Sequence, residues 1–185
     1  MRTLVTSQPA ILAASRALLR QQGWPAVNIR AVAAACGVSV GSIYNHFPSK
    51  ADLISATVES IWQEIFPQPD EDVVLRDTLA CLRWLYQQLS LGHDRYPGFF
   101  TLHSVAFLPE SKADGKRRMQ QSWDHIQRAL TAVLTRDPNV RPDAFAGDLT
   151  PEQFAQVLFS LLLSALLRQD YDPTAALALA RTVLY

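Results

Sequence analysis

The strongest constraint on the fold is the run NIRAVAAACGVSVGSIYNHFPSK over residues 28–50, where caps, turn and apolar contacts fall as two short crossed helices require. Asn28 can cap a first helix over residues 28–35 by accepting a backbone N–H bond. Ala33 and its small neighbours allow a close crossing, Gly37 can take the left-handed turn conformation, and Val38 plugs the angle between the helices. Ser39 caps the second segment, 39–47, whose Ile43 and Phe47, four apart, point inward. The unit is a helix-turn-helix, which lays its second helix in the major groove of duplex DNA. Before it, Pro9 and Gly23 bracket a helix with Ile11, Ala14 and Leu18 on one face, so three helices fit into the first fifty residues.

The formal net charge is zero, but the charge is segregated along the chain. Residues 1–50 carry Arg2, Arg16, Arg20, Arg30 and Lys50 without one Asp or Glu, giving +5, and residues 51–185 carry −5. With acidic residues near a tenth of the chain, fifty positions without one arise by chance on the order of once in a hundred. A stretch free of carboxylates favours phosphates in both affinity and association rate.

Helical phasing turns Gly41, Ser42, Tyr44 and Asn45 away from the Ile43/Phe47 side, with Val40 at the helix start and His46 at its flank. Gly41 and Ser42 permit close approach, Tyr44 suits a phosphate or sugar, Asn45 matches adenine, and Val40 fits a thymine methyl. No Arg or Lys lies on this helix, so paired contacts to guanine are not expected from it. Phosphate anchoring falls to Arg30, Lys50 and the N–H groups at the helix starts near Asn28 and Ser49. Asn28 and Ser39 serve equally as plain helix caps, and Lys50 and His46 as surface residues.

Ile11-Leu12, Gly23, Ala33, Gly37-Val38-Ser39, Tyr44, Phe47, Lys50 and Leu53 together resemble the N-terminal domain of TetR-type transcriptional regulators. Asn28 stands where that family usually has Thr, which keeps the capping chemistry, and Cys36 where Ala is common. The resemblance implies that Tyr44 and Lys50 contact phosphates. It also implies that the C-terminal part is an all-helical domain that binds a small molecule and dimerises.

The remaining sequence carries no such motif and is read from physics. Seven glycines in a chain rich in Ala, Leu, Gln and Arg predict an all-α fold: a three-helix DNA-binding domain over 1–50, then a helical ligand-binding and dimerisation domain over 51–185. A helix over 48–66 links the two, and further helices are expected over 71–93, 97–108, 110–136, 150–169 and 173–184. The stretch 151–168 is apolar around most of its circumference, so it must be buried on two sides. Phe154, Val157, Leu158, Leu161, Leu162 and Ala165, with Leu179 and Val183 from the last helix, are the expected homodimer interface, a four-helix arrangement. Such a dimer places two recognition helices on a palindromic operator. Trp62, Trp84, Phe100, His103, Phe107 and Trp123 are the candidate lining of a site for an unidentified small-molecule effector, though aromatic residues at helical spacing also make ordinary core.

Other classes find little support. Cys36 and Cys81 show no disulfide or metal spacing, and His93, His103 and His125 do not cluster with carboxylates, so no metal or cofactor is expected. No nucleophile-base pattern or phosphate loop points to an enzyme. The most apolar run, 157–167, is too short for a membrane span, and no signal peptide is recognisable, so a cytoplasmic protein is expected. The same residues also suit effector-independent DNA binding, with the C-terminal half only dimerising or contacting a protein partner. A closed core around Trp84 and His103 would distinguish that alternative.

Overall fold

The computed structural model describes residues 6–67, 76–100 and 112–185, with side chains from Trp123 onward in the helix that starts at Lys112. Eight α-helices make up this part: α1 (Gln8–Gln22), α2 (Ile29–Cys36), α3 (Val40–Tyr44), α4 (Lys50–Ile65), α5 (Thr78–Arg95), α6 (Lys112–Arg136), α7 (Pro151–Arg168) and α8 (Thr174–Leu184). The all-α expectation holds among the described residues. Of the helix expected over 97–108, Phe99 and Phe100 are helical and the rest lies outside them.

Local chemistry sets the helix ends. Ser7 accepts from the Ala10 N–H, Pro9 sits in the first turn of α1, and Gly23, at φ 77°, ends it. Asn28 Oδ1 accepts from the Ala31 N–H at 3.0 Å, and Gly37 closes α2 in the left-handed region, φ 67° and ψ 29°. The recognition helix is shorter than the expected 39–47. It stops at Tyr44 because the His46 N–H turns to the Ile43 carbonyl, three residues back, and Pro48 disfavours helical backbone at Phe47. α5 starts later than the expected 71, where the Asp77 carboxylate accepts from the Ala80 N–H at 2.7 Å. Thr150 and Gln153 cap α7 reciprocally.

The helices enclose two cores. Ile11, Ile29, Val32, Ala33, Ile43, Phe47 and Leu53 form the smaller one, which holds α1, α2 and α3 against the start of α4. The larger gathers α5 to α8 around Leu82, Leu89, Leu134, Phe154, Leu158 and Leu184, and takes in Leu19 of α1 with Ile54, Ile61 and Ile65 of α4. Two helices therefore belong to both cores.

α7 corrects the expected dimer face. Phe154, Leu158, Leu162 and Ala165 are buried in the chain's own core, at 2, 0, 5 and 6% exposure, so they have no surface to offer a partner. Val157 is exposed, while Leu161, Leu179 and Val183 are partly exposed. The helix is apolar on so much of its circumference because one side serves the monomer.

A buried carboxylate ties the far end of the larger core. Asp137 accepts from the Thr78 N–H at 2.8 Å, the Asn139 N–H at 2.9 Å and the Tyr185 hydroxyl at 2.5 Å, joining the start of α5 and the ends of α6 and α8. Burial alone would raise its pKa, but these hydrogen bonds outweigh burial and hold the carboxyl below its ordinary value. A lowered carboxyl stabilises the fold fully above the unfolded-state pKa, and the contribution is lost as pH falls through the folded value. Tyr185→Phe should cost about 1.5 kcal/mol at neutral pH, the scale of one hydrogen bond to a charged group. Asp137→Asn should flatten the acid limb of stability against pH, measured by urea denaturation, so that wild type and variant converge in acid; parallel acid limbs would contradict this role for Asp137.

Candidate nucleic-acid interface

Ile43, with no exposed surface, and Phe47, 5% exposed, lock α3 onto the smaller core and fix which residues face outward. Val40, Gly41, Tyr44 and Asn45 are exposed, and Ser42 and His46 partly so. Tyr44 at 46% and Val40 at 39% are unusually exposed for large apolar side chains, and they stand on one short helix. Arg30 on α2 and Lys50 at the start of α4 are exposed as well.

Several of the expected contact residues also have local roles. Ser39 Oγ accepts from the Ser42 N–H at 3.2 Å and pairs with the Ser42 hydroxyl at 2.9 Å, so Ser42 turns back to its own cap. Asn28 uses both side-chain ends within its turn, donating to the Ala26 carbonyl at 3.3 Å besides capping α2. Its service to a phosphate would run through the N–H groups of the first turn of α2. Ser49 caps α4 and donates to Asp52 at 2.8 Å, which places a carboxylate two residues after Lys50.

Gln8 is not among the expected residues, yet its side-chain amide donates to the His46 carbonyl at 3.3 Å and braces the end of the recognition segment against α1. No single-sequence pattern marks an exposed Gln for this role. The basic charge of the first fifty residues is also divided. Arg16 Nε lies 2.8 Å from the Glu64 carboxylate and Arg20 Nη1 3.7 Å from it, so these two arginines face the body of the protein, whereas Arg30 and Lys50 are exposed to solvent.

The aromatic candidates separate into two places. Trp62 packs on Phe66, Phe99 and Phe100 with centroids 5.9, 5.3 and 5.5 Å away, and Trp84 joins through Phe66 at 5.9 Å. Trp24, from the turn after α1, stacks on Phe99 at 6.2 Å, a contact that sequence spacing does not anticipate. Trp123 stands elsewhere, against Phe159. His103 and Phe107 lie outside the described residues. An open groove of about 580 Å³ runs over the outer side of α7 between Asp148, Leu149, Gln153, Gln156, Val157 and Ser160, and none of the aromatic candidates lines it. Burial, followed by the Asp77 charge, pushes the Cys81 thiol up to about 12, which makes it a poor nucleophile. Among the described residues no helix is long and apolar enough to cross a membrane.

Residues 11–57 match the bacterial regulatory proteins of the tetR family. The nucleoid occlusion factor SlmA of Vibrio cholerae is 30% identical over 75% of this chain and 73% of its own length. The transcriptional repressor KstR of Mycolicibacterium smegmatis is 27% identical over 85% of this chain and 73% of its own. The fold resembles that of NalD, the secondary repressor of the MexAB-OprM multidrug efflux pump in Pseudomonas aeruginosa, with a TM-score of 0.59, 21% identity and coverage of 90% and 85%.

The division of the basic residues makes a prediction that the charge count alone does not. Lys50→Ala should weaken binding to duplex DNA and reduce the slope of log affinity against log salt by about one for each phosphate that the lysine neutralises. Arg16→Gln should leave that slope unchanged. Fluorescence-anisotropy titrations at several salt concentrations measure both, and a slope that falls equally in the two variants would place Arg16 on DNA.

Proposed function

Because the chain belongs to the tetR family of bacterial regulatory proteins, it is a DNA-binding transcriptional regulator, and we propose that it is a ligand-responsive repressor that holds a palindromic operator as a homodimer. The observation that carries this reading is the outward face of α3, with Val40, Gly41, Tyr44 and Asn45 presented by a helix whose opposite side is locked in the core. In the proposed complex Tyr44, Lys50 and Arg30 hold phosphates, Asn45 and Val40 read base edges, and Gly41 and Ser42 allow close approach. Ser39 and Asn28 set the angle of their helices, and His46 closes the flank.

The division of labour proposed here puts DNA binding in residues 1–50 and ligand binding with dimerisation in residues 51–185, joined by the helix over 48–66. Val157, Leu161, Leu179 and Val183 are the part of the expected dimer face that remains available to a partner. The repressor names of KstR and NalD support repression as the sense of control. For the effector we favour an apolar small molecule that parts the rings around Trp62, Trp84 and Phe100, since these contact α4, the helix that enters both cores. Such a ligand acts only through different affinities for the two conformations, so effector and operator must oppose each other.

Selection of bound sequences from random duplexes should return a palindrome with half-sites about one helical turn apart or a multiple of it. A non-palindromic consensus, or no enrichment, would overturn the dimeric operator reading. With the selected duplex in hand, compounds that quench tryptophan fluorescence should lower operator affinity. A tight binder that leaves it unchanged would overturn the effector half of the proposal.

A further inference from the structure

At the C-terminal end of α4, Glu64 is placed where an acid is unfavourable, since the helix dipole leaves partial negative charge there. Three arginines from two other helices surround it. Arg16 Nε of α1 lies 2.8 Å from one carboxylate oxygen; Arg95 Nη1 of α5 lies 2.9 Å and Arg20 Nη1 of α1 3.7 Å from the other. Arg16 and Glu64 are each about three-quarters shielded, so this network is screened less than an ordinary surface pair. One anion thus joins the helix-turn-helix domain, through α1, to the body, through α5.

The corner around it is stiff. A Cβ on Gly92 of α5 would stand 3.0 Å from Ile65, so α4 and α5 touch backbone to side chain beside the cluster. Fully buried Tyr96 lies under the Arg20 guanidinium, 5.8 Å from ring centroid to carbon, and packs on Phe99 at 6.2 Å. Its hydroxyl lies beside Glu64 without a hydrogen bond of normal geometry, and burial together with that carboxylate pushes the phenol up to about 12, so it stays neutral. Trp24, just past α1, rests on the same Phe99. The ion cluster and the aromatic group are therefore one continuous contact from α1 to the rings around Trp62.

We infer that Glu64 is a latch: its carboxylate, shared by Arg16 and Arg20 of α1 and Arg95 of α5, fixes the angle at which the helix-turn-helix domain docks on the body. Three cations against one anion make the device asymmetric. Removing one arginine leaves the carboxylate matched, whereas removing Glu64 leaves three guanidiniums repelling one another across the joint. A fixed docking angle sets the separation of the two recognition helices in a dimer. That consequence rests on the proposed operator reading, but the latch can be measured without DNA.

The test compares Glu64→Gln and Arg95→Gln with the wild-type chain, and uses Arg83→Gln, an exposed arginine on the same helix as Arg95, as control. By amide hydrogen exchange, residues 16–22 of α1 should exchange about three- to tenfold faster in both latch variants and at the wild-type rate in the control. The fall in Tm of Glu64→Gln should exceed that of Arg95→Gln and shrink in 1 M salt, where repulsion among the arginines is screened. Wild-type exchange of α1 in Arg95→Gln would overturn the latch, and that variant carries the test if Glu64→Gln does not fold. On the selected palindrome, both variants should discriminate less, by about threefold or more, against a duplex with one base pair inserted at its centre. Unchanged discrimination with faster α1 exchange would overturn the docking-angle role. If the wild-type chain selects no duplex, the operator reading fails while the exchange result still decides the latch.

Discussion

The architecture depends on two helices being shared between two cores. α1 places Ile11 in the smaller core and Leu19 in the larger, and α4 places Leu53 in one and Ile54, Ile61 and Ile65 in the other. A 16-residue helix is a rod roughly 24 Å long at about 1.5 Å per residue. Tightly packed interiors yield by changing from one arrangement to another rather than by smooth deformation. A change in the packing of Ile61 and Ile65 would therefore reach Leu53, and through it Ile43 and the recognition helix, if α4 moves as a rigid body. The same two rods pass through both cores, so packing in one bears on packing in the other.

Charge follows the same division. The absence of carboxylates from residues 1–50 is a true property of the sequence, yet the five positive charges do not form one surface. Arg30 and Lys50 are exposed, while Arg16 and Arg20 sit on the last turns of α1 and meet Glu64. Part of the positive charge thus fixes the domain and part is free to attract phosphate. A net count along the chain cannot separate these roles, because attraction to a polyanion depends on where each cation points.

What the sequence made legible was what short-range chemistry decides. Asn28, Ser39, Gly37 and the Ile43/Phe47 pair each act within four residues, so caps, turn and inward face are readable directly and are found as expected. The shorter α3 reflects competition at Pro48, a boundary effect local enough to anticipate. Contacts between distant segments were not legible. Gln8 reaches His46 across 38 residues, and Asp137 reaches Thr78 across 59. Apolarity predicts that α7 is buried but not which residues face the chain's own core, so Phe154, Leu158, Leu162 and Ala165, expected at the interface, prove to be core. Glu64 leaves one faint signal, an acid at the wrong end of a helix, whose resolution needs three dimensions.

The recognition helix itself explains why a stiff joint matters. α3 spans only Val40–Tyr44 and carries no Arg or Lys, so it cannot supply the bidentate guanine contacts that are the commonest specific readout. In the proposed dimeric complex Asn45 and Val40 would offer one adenine contact and one methyl contact per half-site, each worth at most a few kcal/mol. With so little direct reading in each half, selectivity in that complex would rest on the separation and relative angle of two such helices. Separation discriminates only if the joint between each reading head and its body is stiff. A network of Glu64, its arginines and the aromatic corner supplies that stiffness. The same economy would make such a dimer easy to switch, because a small change of angle would forfeit weak contacts in both halves at once.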